Sequence, residues 1–106
     1  MLLPLGPANV QAQAPKYDLV ITNARIVDGA GNPWFRGSIA IKNGRIAKVG
    51  FFDAAGAVHT IDAKNQIVAP GFIDVHTHVE DVYDQPTAEN FIRMGVTDLI
   101  TGNCGG

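Results

Sequence analysis

The chain has 106 residues, room for one small domain with a core of its own. Hydrophobic residues make up 46% and charged residues 17%, the balance of a globular rather than a disordered chain. The net charge of −2 and the scatter of its 8 Lys and Arg argue against a nucleic-acid partner, and no stretch approaches the ~20 apolar residues that span a bilayer.

The first 14 residues, MLLPLGPANVQAQA, carry no charge and no periodicity. Ala12-Gln13-Ala14 has the small-x-small form of a signal-peptidase site, but a basic start is missing and Pro15 follows at once. Residues 1–16 read as a disordered tail or as the remnant of an export signal, which leaves both a cytoplasmic and an exported location open.

From Tyr17 the pattern is that of short strands. YDLVITNARIVDG carries apolar residues on either side of a break at Asn23-Ala24, and Asp28 to Pro33 is a dense turn signal. SIAIKNGRIAKVG is the clearest hairpin: Asn43-Gly44 tolerates the positive φ of a type I′ turn, pairing Lys42 with Arg45 and Ile41 with Ile46. Ile39, Ile41 and Ile46 should then share the buried face. Ala63-Lys64-Asn65 predicts a second tight turn with Asn65 in the left-handed region. Residues 17–69 thus predict an antiparallel module of about five strands, packed by Trp34 and Phe35, with one edge left for further chain to cover.

After Pro70 the rhythm changes. FIDVHTHV reads as an extended run. QPTAENFIRMG reads as a helix, with Pro86 in the first turn, Glu89 near its positive end, Gly95 at its C-terminal cap, and Ala88, Phe91 and Ile92 on one face. VTDLITGNC is a second apolar strand, in which Asp98 is the odd charged residue. Strand, helix, strand is a βαβ unit with parallel pairing. One such unit cannot cover both faces of its strands, and a (β/α)8 barrel takes roughly 250 residues. The chain is therefore expected to be the N-terminal piece of a longer protein.

The chemistry lies in His76-Thr77-His78. On a strand, both imidazoles would point the same way from Cα atoms roughly 6.6 Å apart and could share a metal ion. Asp74 would lie on the same face, one step deeper, and orient a ligand through a hydrogen bond. A solvated surface pair is the plain alternative. It weakens here because the pair falls where an apolar strand gives way to a polar loop, the end at which parallel α/β folds build sites. Cys104, the single cysteine, ends the other strand between glycines. Taken alone it would be a buried structural thiol; beside the histidine pair it is a candidate third ligand. His59 has no apparent partner, and Glu80, Asp81 and Asp84 read as loop carboxylates.

These residues resemble a family. VAPGFIDVHTH looks like the signature of the amidohydrolase superfamily of metal-dependent hydrolases, and the segment before it looks like that superfamily's N-terminal β-sandwich half. AENFIRMGVTDLITGNCGG resembles the N-acyl-D-amino-acid deacylase, or D-aminoacylase, branch. The resemblance implies an α/β fold with a β-sandwich part: a β-sandwich over 17–69, then the first β-α-β unit of a metal-dependent hydrolase TIM barrel over 70–106. It implies zinc as cofactor, with His76 and His78 holding the weaker zinc and Cys104 the tight one. It implies a small N-acyl amino acid as substrate, the remainder of the chain's own barrel as structural partner, and an aspartate base beyond Gly106. The VEDVYD stretch after the histidines departs from the family pattern and leaves the substrate open. A cyclic-amide hydrolase of the hydantoinase or dihydroorotase kind, and a non-catalytic fragment, are the alternatives.

Overall fold

The computed structural model describes residues 14–79, 81–84 and 87–103. Most of its regular structure is β-strand. The chain forms two units: the residues up to Ile26 with Trp34–Val68, and Val27–Pro33 with the chain from Ala69.

The first unit is a five-stranded sheet built around β1 (Tyr17–Ile26). β2 (Phe35–Lys42) pairs antiparallel with β1, and β3 (Arg45–Gly50) antiparallel with β2. The turn between them is as expected: Asn43 and Gly44 take φ of 52° and 69°, and Lys42 pairs with Arg45 and Ile41 with Ile46. β4 (Ala57–Asp62) and β5 (Ile67–Val68) line the other edge of β1 one after the other, and both run parallel to it. The module is therefore mixed, not purely antiparallel. Its last segment is paired, at Arg25↔Ile67 and Ile26↔Val68.

Both faces of the sheet bear a core. Tyr17, Val20 and Ala40 pack on one, covered by Phe52 and Ala54 from the connection between β3 and β4. Ala24, Ile26, Ile39 and Ala63 pack on the other, joined by Ile21, Ile41 and Val68. Strict alternation would put Ile21 and Ala24 on opposite faces. A bulge between them, with Asn23 at φ 53°, adds the residue that brings both to the same core. The break read at Asn23-Ala24 is this bulge inside a continuous strand.

The bulge meets the turn between β4 and β5. Asn65 N–H donates to the Asn23 carbonyl at 2.8 Å, Ala63 N–H to that of Thr22 at 2.9 Å, and Arg25 N–H to that of Gln66 at 3.0 Å. Lys64 and Asn65 are both left-handed, at φ 49° and 64°. Ile46, by contrast, does not join the core: it is 68% exposed, on the edge strand β3. Trp34 is half-exposed, its ring under the Arg25 guanidinium at 5.8 Å. His59 is exposed on β4, opposite Leu19.

Candidate metal centre

In the second unit β6 (Phe72–Asp74) pairs parallel with β7 (Val96–Leu99), as the βαβ pattern requires. Gly71, just before β6, lies against the Thr97 side chain, where a Cβ would be 2.9 Å from Thr97 Cβ and closer still to its hydroxyl and methyl. Phe72 N–H donates to the Gly95 carbonyl at 2.8 Å. The helix between the strands, α1 (Glu89–Arg93), is shorter than the sequence suggests. Ala88 precedes it in the left-handed region at φ 44°, so the helix cannot extend back through that residue. Pro86 and Glu80 lie outside the described residues. At the other end Gly95 takes φ 82° and ends the helix as expected. Phe91 is half-buried and Ile92 exposed.

β6 stops at Asp74, so His76 and His78 lie just past the strand end rather than on a strand. The cause is local. The Asp74 Oδ1 accepts the His76 backbone N–H at 3.2 Å, an Asx-type bond that turns the chain out of the ladder. The chain nevertheless stays beside the extension of β7: Ile100 N–H donates to the Asp74 carbonyl at 2.9 Å, and Thr77 N–H to the Ile100 carbonyl at 3.4 Å. Asp98 faces solvent and accepts the Thr97 hydroxyl at 2.8 Å.

The two imidazoles come together past the strand. Their ring centroids are 5.8 Å apart and the ring planes tilt by 52°. An imidazole centroid lies roughly 1.1 Å from its nitrogens, so two rings ligating one ion at about 2.1 Å have centroids ~6.4 Å apart when opposed and ~5.2 Å apart at a tetrahedral angle. The observed separation falls between these two values, both residues are exposed, and the neutral imidazole nitrogen is a good ligand for zinc or another borderline cation. The pair can therefore share a metal ion after the rings close by about 0.6 Å to the tetrahedral spacing. Among the described residues no group of three metal-ligating side chains gathers, and Cys104 lies outside them.

A contact not anticipated from sequence joins the ends of the two strands. The Asn103 side-chain amide donates to the Val75 carbonyl at 2.6 Å. Asn103 follows Gly102, whose φ of 77° turns the chain back toward the histidine loop. The only signal in the sequence is an Asn after Gly at a strand end, which does not reveal its acceptor.

Residues 4–75 match the family model described as urease alpha-subunit, N-terminal domain. The chain is 42% identical over 90 residues to an N-acyl-D-aspartate deacylase of Alcaligenes xylosoxydans xylosoxydans, covering 83% of this chain and 18% of that protein. It is 46% identical over 88 residues to an adenine deaminase of Listeria innocua, 81% of this chain and 15% of that protein. In structure it resembles the N-acyl-D-glutamate deacylase of Bordetella bronchiseptica, solved with zinc and a phosphonate inhibitor, with a TM-score of 0.79 and 42% identity over 85% of this chain and 19% of that one. The chain belongs to the family of the urease alpha-subunit N-terminal domain. Its homologues include N-acyl-D-amino-acid deacylases, metal-dependent enzymes of the amidohydrolase superfamily, and it spans less than a fifth of the length of the relatives named here.

Proposed function

We propose that this chain supplies the first metal-binding strand end of a zinc-dependent hydrolase that cleaves the amide of N-acyl-D-amino acids, releasing a carboxylate and a free D-amino acid. The single observation that carries the reading is the placement of His76 and His78: two imidazoles 5.8 Å apart, just past the carboxyl end of a strand in a parallel pair. In this reading residues 17–69 are the β-sandwich part, and residues 70–106 open the (β/α)8 barrel that further chain completes. His76 and His78 hold zinc, and Cys104 is a further ligand from the next strand end.

Bound there, zinc would lower the pKa of a coordinated water and polarise the scissile carbonyl. The chain's own contribution is positional. Asp74 fixes the turn from which His76 projects, through the 3.2 Å bond to its N–H. The bonds from Ile100 to Asp74 and from Thr77 to Ile100 keep that turn against the neighbouring strand end. The histidine pair is thereby preorganised, which limits the entropy lost on metal binding.

The test is hydrolysis by the full-length protein of N-acyl-D- against N-acyl-L-amino acids, with and without a chelator. Turnover of the D-series alone, abolished by chelation and restored by zinc, is expected. Activity indifferent to chelator and to chirality would sink the reading. The 46% identity to an adenine deaminase favours a second reading in which the same strand end serves a purine deaminase, so adenine belongs in the assay beside a hydantoin-type cyclic amide.

A further inference from the structure

We infer that Asn103 is a positioning residue for the histidine pair, resting on the metal-binding reading above. Its amide holds the Val75 carbonyl at 2.6 Å, and that carbonyl belongs to the peptide leading directly into His76. The other atoms of this peptide are also engaged: the His76 N–H donates to Asp74 Oδ1 at 3.2 Å. The plane of the Val75–His76 peptide is thus fixed from both sides, by Asp74 within the loop and by Asn103 across 28 residues of sequence. That plane sets the direction of the His76 N–Cα bond, the base from which its Cα–Cβ bond and imidazole project. Thr77, between the two histidines, is held by the Ile100 carbonyl at 3.4 Å, so the loop is tied to the β7 extension at two points past Asp74. Gly102, at φ 77°, is what lets the chain double back so that Asn103 reaches Val75.

The bond is exposed, so its loss should leave the fold almost untouched and appear in the ligand geometry instead. Partners that orient a metal ligand from outside the coordination sphere are typically worth 10–100-fold in metal affinity. In the full-length protein, Asn103→Asp is isosteric and replaces the donor by an acceptor facing the Val75 carbonyl. Asn103→Gln keeps an amide donor on a longer stem. Zinc dissociation constants are measured by competition with a chromogenic chelator, and the visible absorption of the cobalt-substituted protein reports ligand geometry independently of turnover. Asn103→Asp should weaken zinc about 10–100-fold and alter the cobalt spectrum while leaving the thermal midpoint of the chelator-treated, metal-free protein unchanged, and Asn103→Gln should recover part of the affinity and the spectrum. Asn103→Asp with parental zinc affinity and parental spectrum overturns the inference. His76→Ala is the control. If it loses zinc while Asn103→Asp does not, only the role of Asn103 fails; if His76→Ala also binds zinc like the parent, the metal-binding reading fails with it.

Discussion

The Asn23 side-chain amide donates to Asp62 Oδ1 at 3.0 Å, linking the bulge of the central strand to the end of β4. The same carboxylate oxygen accepts the Lys64 N–H at 2.8 Å, so one Asp closes the turn after β4 and fastens it to β1. Asn23 itself sits at φ 53°, where an amide side chain that bonds locally offsets the steric penalty of the left-handed region. Asn23→Ala keeps the Cβ and loses the bond, and should cost about 1–2 kcal/mol in urea unfolding. Asn23→Gly loses the bond without the steric penalty and should cost less. Equal losses for the two variants would show that backbone conformation is not what selects Asn there.

Asp18 accepts from Lys42 Nζ at 2.9 Å and from the Asn43 N–H at 2.6 Å. The Lys42 bond first, then the Asn43 N–H, holds its carboxyl below the ordinary value of 3.8. Because the folded pKa is the lower one, the unfolded chain binds more protons between the two values. The stabilisation is complete above the ordinary carboxylate pKa and is lost as pH falls through the folded one. Asp62 and Asp28 are lowered in the same direction, Asp62 chiefly by the Lys64 N–H and Asp28 chiefly by the Asn32 side-chain amide. Stability should therefore fall on acidification below about pH 4, and Asp18→Asn should flatten that limb. Unfolding midpoints that track the parent's at every pH would remove Asp18 from the account.

Gly37 faces the backbone of Gly50 across β2 and β3, and a Cβ there would meet Gly50 Cα at 3.0 Å and its carbonyl oxygen at 3.1 Å. No side chain can rotate away from that contact. Gly37→Ala should destabilise by about 1–3 kcal/mol through separation of the strands. Gly44 has open space around its Cβ position but a φ of 69°, so Gly44→Ala should cost about 1–2 kcal/mol for conformation alone. Denaturant unfolding distinguishes the two causes, since a larger residue at 44 adds little and at 37 adds more.

Glu89 and Arg93 form an i,i+4 pair at 2.8 Å on a surface where both side chains are mostly exposed. Water and salt screen such a pair, and Arg93→Ala should shift stability by no more than about 0.5 kcal/mol. A shift beyond 1 kcal/mol would mean that Arg93 has a second partner.

His76→Ala, His78→Ala and Cys104→Ala should each lower the zinc content of the purified full-length protein. Elemental analysis reads this directly, and a variant that keeps parental zinc is not a ligand variant.

The turns of this chain are legible in its sequence because each needs a residue that tolerates positive φ, and Asn43-Gly44 and Lys64-Asn65 supply one. The parallel sense of β4 is not legible. Its partners, such as Leu19↔His59 and Ile21↔Ile61, are remote in sequence, and alternation reads the same in either direction. The histidine pair is recognisable as a motif, but its departure from the strand is not, since that depends on the Asp74 carboxylate taking the His76 N–H instead of leaving it to a ladder. The short helix is a similar case: nothing about Ala88 announces a left-handed residue, yet its φ of 44° sets the helix start.

β1 is bonded along both of its edges, to β2 on one side and to β4 and then β5 on the other. It is thus among the earliest parts of the sheet to be synthesised and the last to be completed, because β5 ends only at Val68. At 5–20 residues per second, the interval from Ile26 to Val68 lasts about 2–8 s on the ribosome. Through that interval the Ile26 end of β1 keeps an open edge in a nascent chain, and the Val20 end does so until β4 is complete at Asp62; chaperones engage such edges and neighbouring polysomal copies can capture them.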